Sequence, residues 1–270
     1  SKEASVLVEN ACWDSPRCQM AYLNRKLYIV GGKNDGIDVQ GGQSHNCLDS
    51  VLYYEDFPNL TETGLLRKIK WIGKTPIYAK DSLQEARSDC RVIVSGNSIY
   101  ALGGRGENPS IIRSLNSCEK FSAGGAAWEK IQPMSKNREN FGVGIINNYI
   151  YAVGGWISCT STSCALGMVE RYNTELDQWQ ISAPLLARRC GVRVANVGSC
   201  LYAIGGSERA EAPMKLSNIE LYDPRVKYWI PIKARSAMPF TCREEAVTTV
   251  DAKIISVESS TDEVNGRPLI

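Results

Sequence analysis

The sequence predicts an all-β protein built from repeated four-stranded antiparallel units, and three observations predict it. A short pattern occurs four times: an apolar residue, tyrosine, any residue, an apolar residue and two glycines. It is seen as LYIVGG ending at Gly31-Gly32, IYALGG at Gly103-Gly104, IYAVGG at Gly154-Gly155 and LYAIGG at Gly205-Gly206. The first glycines are separated by 72, 51 and 51 residues, and a recurring period near 50 residues marks a repeat architecture. Between the copies lie short alternating runs bounded by turn residues, with no long stretch of 3.6-residue periodicity.

Each unit then justifies four strands in order. An alternating run precedes the glycine pair, as in FGVGII and GVRVANV. The tyrosine-containing run comes second. A third run closes on an aromatic residue: Tyr54 in SVLYY, Phe121 in SCEKF, Tyr172 in MVERY and Tyr222 in NIELY. A tryptophan marks the fourth: Trp71, Trp128, Trp179 and Trp229, the last three each seven residues after their aromatic. Trp71 follows by seventeen, so the first unit carries an insertion. Four-stranded units of this length are blades of a β-propeller. The glycine pairs weaken a strand unless close backbone approach is needed. They are expected to leave room for the large Trp and Tyr of the repeat. A phosphate-cradling loop would require a helix to follow, and none does.

The glycine pair after a tyrosine strand, the later aromatic and the spaced tryptophan together resemble the kelch repeat. The resemblance implies a kelch β-propeller of four-stranded antiparallel blades over the whole of 1–270. Blades are expected near 15–73, 84–131, 138–182, 189–232 and 243–270, with 4–10 as an N-terminal closing strand. Closure by a strand from the opposite terminus removes an exposed edge. The fifth copy, AKIISVESS, has Glu258-Ser259 where glycines belong. Five blades, or six with one absent from this chain, both fit.

Composition narrows the function. Hydrophobic residues make up 43% and charged residues 22%, with a net charge of +2. Neither nucleic acid nor membrane is expected as a partner. No apolar run approaches the ~20 residues of a membrane span. No signal peptide is read, and the first residue, Ser1, is expected to follow a removed start. The ten cysteines are irregularly spaced, which predicts free thiols in a reducing, cytoplasmic setting. One sequon, NLT at 59–61, is weak evidence against that. No enzyme, metal or cofactor is expected. His45 is the single histidine, too few for a kelch-fold copper oxidase, and the sialidase-type Asp box is absent. Cys159 and Cys164 lack a second close pair for a four-ligand metal site.

A second repeated element is arginine ahead of the first strand of each blade: Arg17, Arg87, Arg138, Arg189 and Arg243. Arg87, Arg138 and Arg189 each stand 12 residues before the apolar residue opening the tyrosine strand, whereas Arg17 stands ten and Arg243 eleven before it. Two readings are open. The guanidinium forks line one face as a seat for an acidic peptide, or they cross-link blades through carboxylates such as Glu85 or Glu139. Kelch domains that recruit substrates to ubiquitin ligases contact acidic peptides with arginines at this position. By that resemblance Arg17, Arg87 and Arg189 match best, and the third blade is shared between Arg138 and Asn140. Cys18, Cys90 and Cys190 follow such arginines, either as packing residues or as thiols activated by the neighbouring charge. Arg67, Lys68, Lys70 and Lys74 around Trp71, and the loop 156–164, are further variable surfaces.

The resemblance implies a non-enzymatic protein-binding module. Its leading role is substrate recognition for a cullin-RING E3 ubiquitin ligase, although no BTB or BACK segment is read in this chain. The alternative is an actin-binding or actin-cross-linking cytoskeletal kelch protein.

Overall fold

The computed structural model describes residues 17–37, 43–54, 77–79, 81–108, 111–158, 164–208, 218–232, 246–250, 253–257, 263–264 and 267–268. The expected closing strand 4–10, Trp71 with its basic neighbours, Cys159 and Arg243 lie outside them. Among the described residues every regular element is a strand, and the chain divides into two compact units, Ser1–Pro133 and Met134–Ile270.

The first unit holds two blades. In one, β1 (Gln19–Leu23), β2 (Lys26–Val30), β5 (Val51–Tyr54) and β6 (Ile77–Tyr78) pair in that order. Between β2 and β5 stands a separate hairpin, β3 (Lys33–Ile37) with β4 (Gln43–Cys47). The other blade runs β7 (Arg91–Ser95), β8 (Ser98–Asn108), β9 (Ile111–Ser122) and β10 (Glu129–Ile131). Its central strands continue past the glycine pair, with a register shift between Leu102 and Gly104, as far as Asn108↔Ile111. An inserted irregularity of this kind bends the pair, so a long ribbon extends from one end of the blade.

The second unit repeats the plan. One blade is β11 (Gly142–Ile146), β12 (Tyr149–Val153), β15 (Val169–Asn173) and β16 (Gln178–Ser182), with the small hairpin β13 (Trp156–Ile157) and β14 (Cys164–Ala165). The next is β17 (Arg193–Val197), β18 (Cys200–Ile204), β19 (Ile219–Asp223) and β20 (Tyr228–Ile232). A two-stranded pair follows, β21 (Ala246–Val250) with β22 (Lys253–Val257), and a shorter one, β23 (Glu263–Val264) with β24 (Arg267–Pro268). These are the antiparallel blades of a β-propeller.

Alternation along the strands places the core between neighbouring blades of each unit. In the first unit Tyr28, Val30, Val51, Leu83, Ile99, Ala101 and Trp128 bury together. In the second, Tyr151, Val153, Val169, Leu201, Tyr222 and Trp229 do the same. Burying a side chain such as Ile99 or Leu201 completely is worth ~1.5–3 kcal/mol. The sequence-predicted aromatic and tryptophan are cross-strand partners, Tyr172↔Trp179 and Tyr222↔Trp229, with ring centroids 5.2 and 5.3 Å apart. Trp229 Nε1 also donates to the Ala183 carbonyl at 3.0 Å, tying one blade to the end of the preceding one. A second tie is Asn196, whose side-chain amide accepts from Ile145 N at 3.1 Å and donates to Ile145 O. It completes the edge of β11 as a neighbouring strand would.

The glycine pairs have a different reason from the one expected. Room for Trp and Tyr is not what they supply. Gly154 and Gly155 have φ of 63° and 109°, backbone that L side chains avoid. A Cβ on Gly154 would stand 2.7 Å from the Arg189 carbonyl oxygen, and Gly155 N donates to that same oxygen at 2.7 Å. Gly31 and Gly32 meet Arg87 O in the same way, Gly32 N donating at 3.0 Å. In these two pairs the first glycine makes space for the main chain of the next blade's arginine. The second glycine of a pair, as at Gly155 and Gly104, lies against the segment leading into its own blade's first strand.

Candidate functional site

In three blades the segment leading into the first strand is held by one buried side chain. Arg87, Arg138 and Arg189 each stand four residues ahead of β7, β11 and β17 and are fully buried. Arg87 Nη2 lies 2.6 Å from Glu119 Oε1, and Arg189 Nη2 lies 2.9 Å from Glu220 Oε1. Arg138 Nη2 pairs with Glu170 Oε2. In all three, Nη1 meets main-chain carbonyls. Arg87 Nη1 reaches Gly103 O at 2.8 Å and Ser117 O at 3.0 Å. Arg138 Nη1 reaches Gly154 O at 2.9 Å and Met168 O at 3.2 Å. Arg189 Nη1 reaches Gly205 O at 2.7 Å and Asn218 O at 3.0 Å.

The glutamates complete the arrangement by accepting backbone N–H groups of the same leading segments. Glu119 takes Gln84 N and Glu85 N, Glu170 takes Ser135 N, and Glu220 takes Leu186 N and Ala187 N. A buried ion pair is tolerable only when its desolvation is offset by such further hydrogen bonds. The structure therefore places these three arginines inside their blades, each paired with a glutamate of its own blade, so these ion pairs do not link neighbouring blades. The carboxylates they hydrogen-bond are not the two named from sequence. Glu139 accepts from Ser158 Oγ at 2.6 Å, and Glu85 is a peripheral contact of Arg87 at 3.8 Å. Glu119, Glu170 and Glu220 recur in SCEKF, MVERY and NIELY, so the period held the signal.

Arg17 is not the counterpart of these arginines. It stands two residues ahead of β1, not four, and the matching position there is Ser15. The first blade lacks the glutamate too, with Leu52 in its place opposite Ile29. Arg17 instead matches Asp89, Asn140 and Gly191, each two residues ahead of its inner strand. All four have left-handed backbone, φ 63°, 50°, 51° and 67°. Asn, Asp and Gly tolerate it readily, arginine less so. Within each unit the neighbours join through main chain, Asp89 N donating to Arg17 O at 3.4 Å and Gly191 N to Asn140 O at 2.8 Å. The third-blade ambiguity is thereby resolved: Arg138 holds the buried position and Asn140 the left-handed one. The Arg17 side chain is 48% exposed and contacts Asp89 Oδ2 at 3.1 Å.

No disulfide joins the cysteines among the described residues. Cys90 is completely buried, and that burial pushes its thiol up to about 11 against the opposing charges of Arg87 and Arg91. Thiolate chemistry needs the opposite shift. In the folded protein at pH 8, Cys90 is expected to resist iodoacetamide that labels it fully in denaturant, as mass spectrometry of the labelled peptide would read. The stability linked to this thiol is intact below pH 9 and is lost as pH rises from 9 to about 11, because the unfolded chain releases the proton first.

Comparison with known proteins places the repeat. The Kelch motif model matches residues 86–135, 137–186 and 188–234. Kelch-like protein 23 of Homo sapiens is 30% identical over 243 residues, covering 82% of this chain and 41% of the relative. Kelch-like protein 7 of Mus musculus is 30% identical over 129 residues, 48% of this chain and 21% of the relative. Kelch-like protein 25 of Xenopus tropicalis is 29% identical over 179 residues, 63% and 29% respectively. The chain thus spans about two-fifths of the length of the first of these relatives.

Proposed function

Because this chain belongs to the kelch-repeat family and is a protein-interaction module of that kind, we propose that it recognises substrates for a cullin-RING E3 ubiquitin ligase in the cytoplasm. One observation carries the reading: ahead of β7, β11 and β17 a buried arginine–glutamate pair anchors the leading segment, and two residues further on stands a left-handed residue, as Arg17 does ahead of β1. Arg87, Arg138 and Arg189 are the positioning residues. Arg17 with Asp89 in the first unit, and Asn140 with Gly191 in the second, are the residues offered to a partner, and Arg243 lies outside the described residues. The partner is a short acidic peptide, for which an exposed guanidinium is a suitable seat.

The test uses surface positions, since a buried arginine cannot be altered without disturbing the blade. Arg17→Asn and Asn140→Gly each suit left-handed backbone, so the fold is retained. Immobilised wild-type protein is expected to retain acidic peptides from a displayed library, and the Arg17→Asn/Asn140→Gly double variant to lose them at unchanged melting temperature. Equal retention by both proteins overturns the assignment. Saturable cosedimentation of both proteins with actin filaments would favour the cytoskeletal role instead.

A further inference from the structure

Arg17 does not stand as a free cation. Its Nη1 is 3.1 Å from Asp89 Oδ2, and the two residues occupy the same left-handed position in adjacent blades of the first unit. Asp89 N donates to Arg17 O, so the main chains are tied as well. The pair is lopsided: the arginine side chain is 48% exposed and the aspartate 13%. Ser88 Oγ stands 3.5 Å from the same Asp89 oxygen, and Cys47 Sγ lies 3.5 Å from Ser88 Oγ. The aspartate is thus held on a polar shelf while the guanidinium reaches outward. At the corresponding places of the second unit stand Asn140, which is neutral, and Gly191, which has no side chain.

A ligand carboxylate approaching Arg17 must therefore approach Asp89 as well. Arg17 attracts it, and Asp89 opposes a second negative charge beside it. A like charge brought next to a partly desolvated carboxylate is costly, and such repulsion is a means of rejecting wrong partners. A cation or donor placed next to the incoming carboxylate removes the penalty by meeting Asp89.

We propose that Arg17 and Asp89 form a two-signed reader that selects a peptide carrying a carboxylate directly beside a lysine or arginine, and rejects runs of acidic residues. The proposal rests on the reading above that this face binds peptides, and it narrows the peptide class. Asp89 is a specificity-determining residue: it weakens polyacidic ligands while leaving mixed-charge ones bound.

The experiment pans a library of random short linear peptides against the full chain as wild type, Asp89→Asn and Arg17→Asn. Enriched peptides are then titrated by fluorescence anisotropy. Asn is isosteric with Asp and accepts the left-handed backbone, so Asp89→Asn removes the charge alone. Wild type is expected to enrich adjacent acid–base pairs. Asp89→Asn is expected to bind a polyacidic peptide about threefold to tenfold tighter than wild type and to lose its preference for the neighbouring cation. Arg17→Asn is expected to lose the acid preference. Polyacidic peptides binding wild type and Asp89→Asn equally would overturn the selectivity role while leaving peptide binding in place. Identical enrichment by all three proteins would place peptide binding elsewhere and overturn both readings.

Discussion

Replacing Arg189 by alanine is expected to cost about 3–5 kcal/mol of folding stability, the range for breaking a buried ion pair by removing one partner. Four acceptors would lose this donor: the Glu220 carboxylate, the Gly205 carbonyl, and the main-chain and side-chain oxygens of Asn218. Lysine is a poor substitute, because one ammonium cannot serve these acceptors from the plane of a fork. Urea denaturation of wild type, Arg189→Ala, Glu220→Gln and the double variant gives the coupling directly. The double variant is expected to be distinctly more stable than the sum of the single losses. Strict additivity would mean that the pair contributes packing alone. The result has a practical side. Loss of partner binding by Arg87→Ala or Arg189→Ala would report disturbance of the blade, which is why the surface residues are the informative ones.

The second large effect is expected at Gly155. Alanine there would place its Cβ 2.7 Å from Phe141 Cβ and 3.0 Å from Glu139 O, on a backbone with φ 109°. Strained backbone and overpacking each cost ~1–3 kcal/mol, so a loss of about 3 kcal/mol or more is expected. Gly198→Ala is the internal control. Its φ is also positive, at 58°, but nothing lies within 4 Å of an added Cβ. Only the left-handed penalty applies there, ~1–2 kcal/mol. Equal losses at the two positions would show that conformation alone, and not the closeness of Phe141 and Glu139 in the same blade, requires the glycine.

Much of the fold was legible because repetition amplifies weak signals. A single IYAVGGW says little, but four copies with a following aromatic and tryptophan fix the strand order of a blade. The direction of the arginines was not legible in the same way. Sequence gives the position of Arg87, Arg138 and Arg189 but not the enclosure of their side chains. Their glutamates lie about 30 residues away in strands already assigned for other reasons. Arg17 shares its residue type with the buried arginines but its backbone conformation with Asp89, Asn140 and Gly191. Its ten-residue spacing was the clue, since two residues shift a position from the buried anchor to the left-handed turn. The Arg17–Asp89 contact joins residues 72 apart and depends on the packing of two blades, which no local pattern encodes.

The buried arginine has one more consequence. The Arg87 side chain is bonded to its own blade, through Gly103, Ser117 and Glu119, while its main chain is bonded to the preceding one, through Leu48 and Gly32. Arg189 straddles its two blades likewise, through Gly205 and Glu220 on one side and Leu166 and Gly155 on the other. A blade that frays must therefore release hydrogen bonds belonging to its neighbour. The smallest element able to open independently is a pair of blades and not one, so the four-stranded sheet is the unit of repetition without being the foldon.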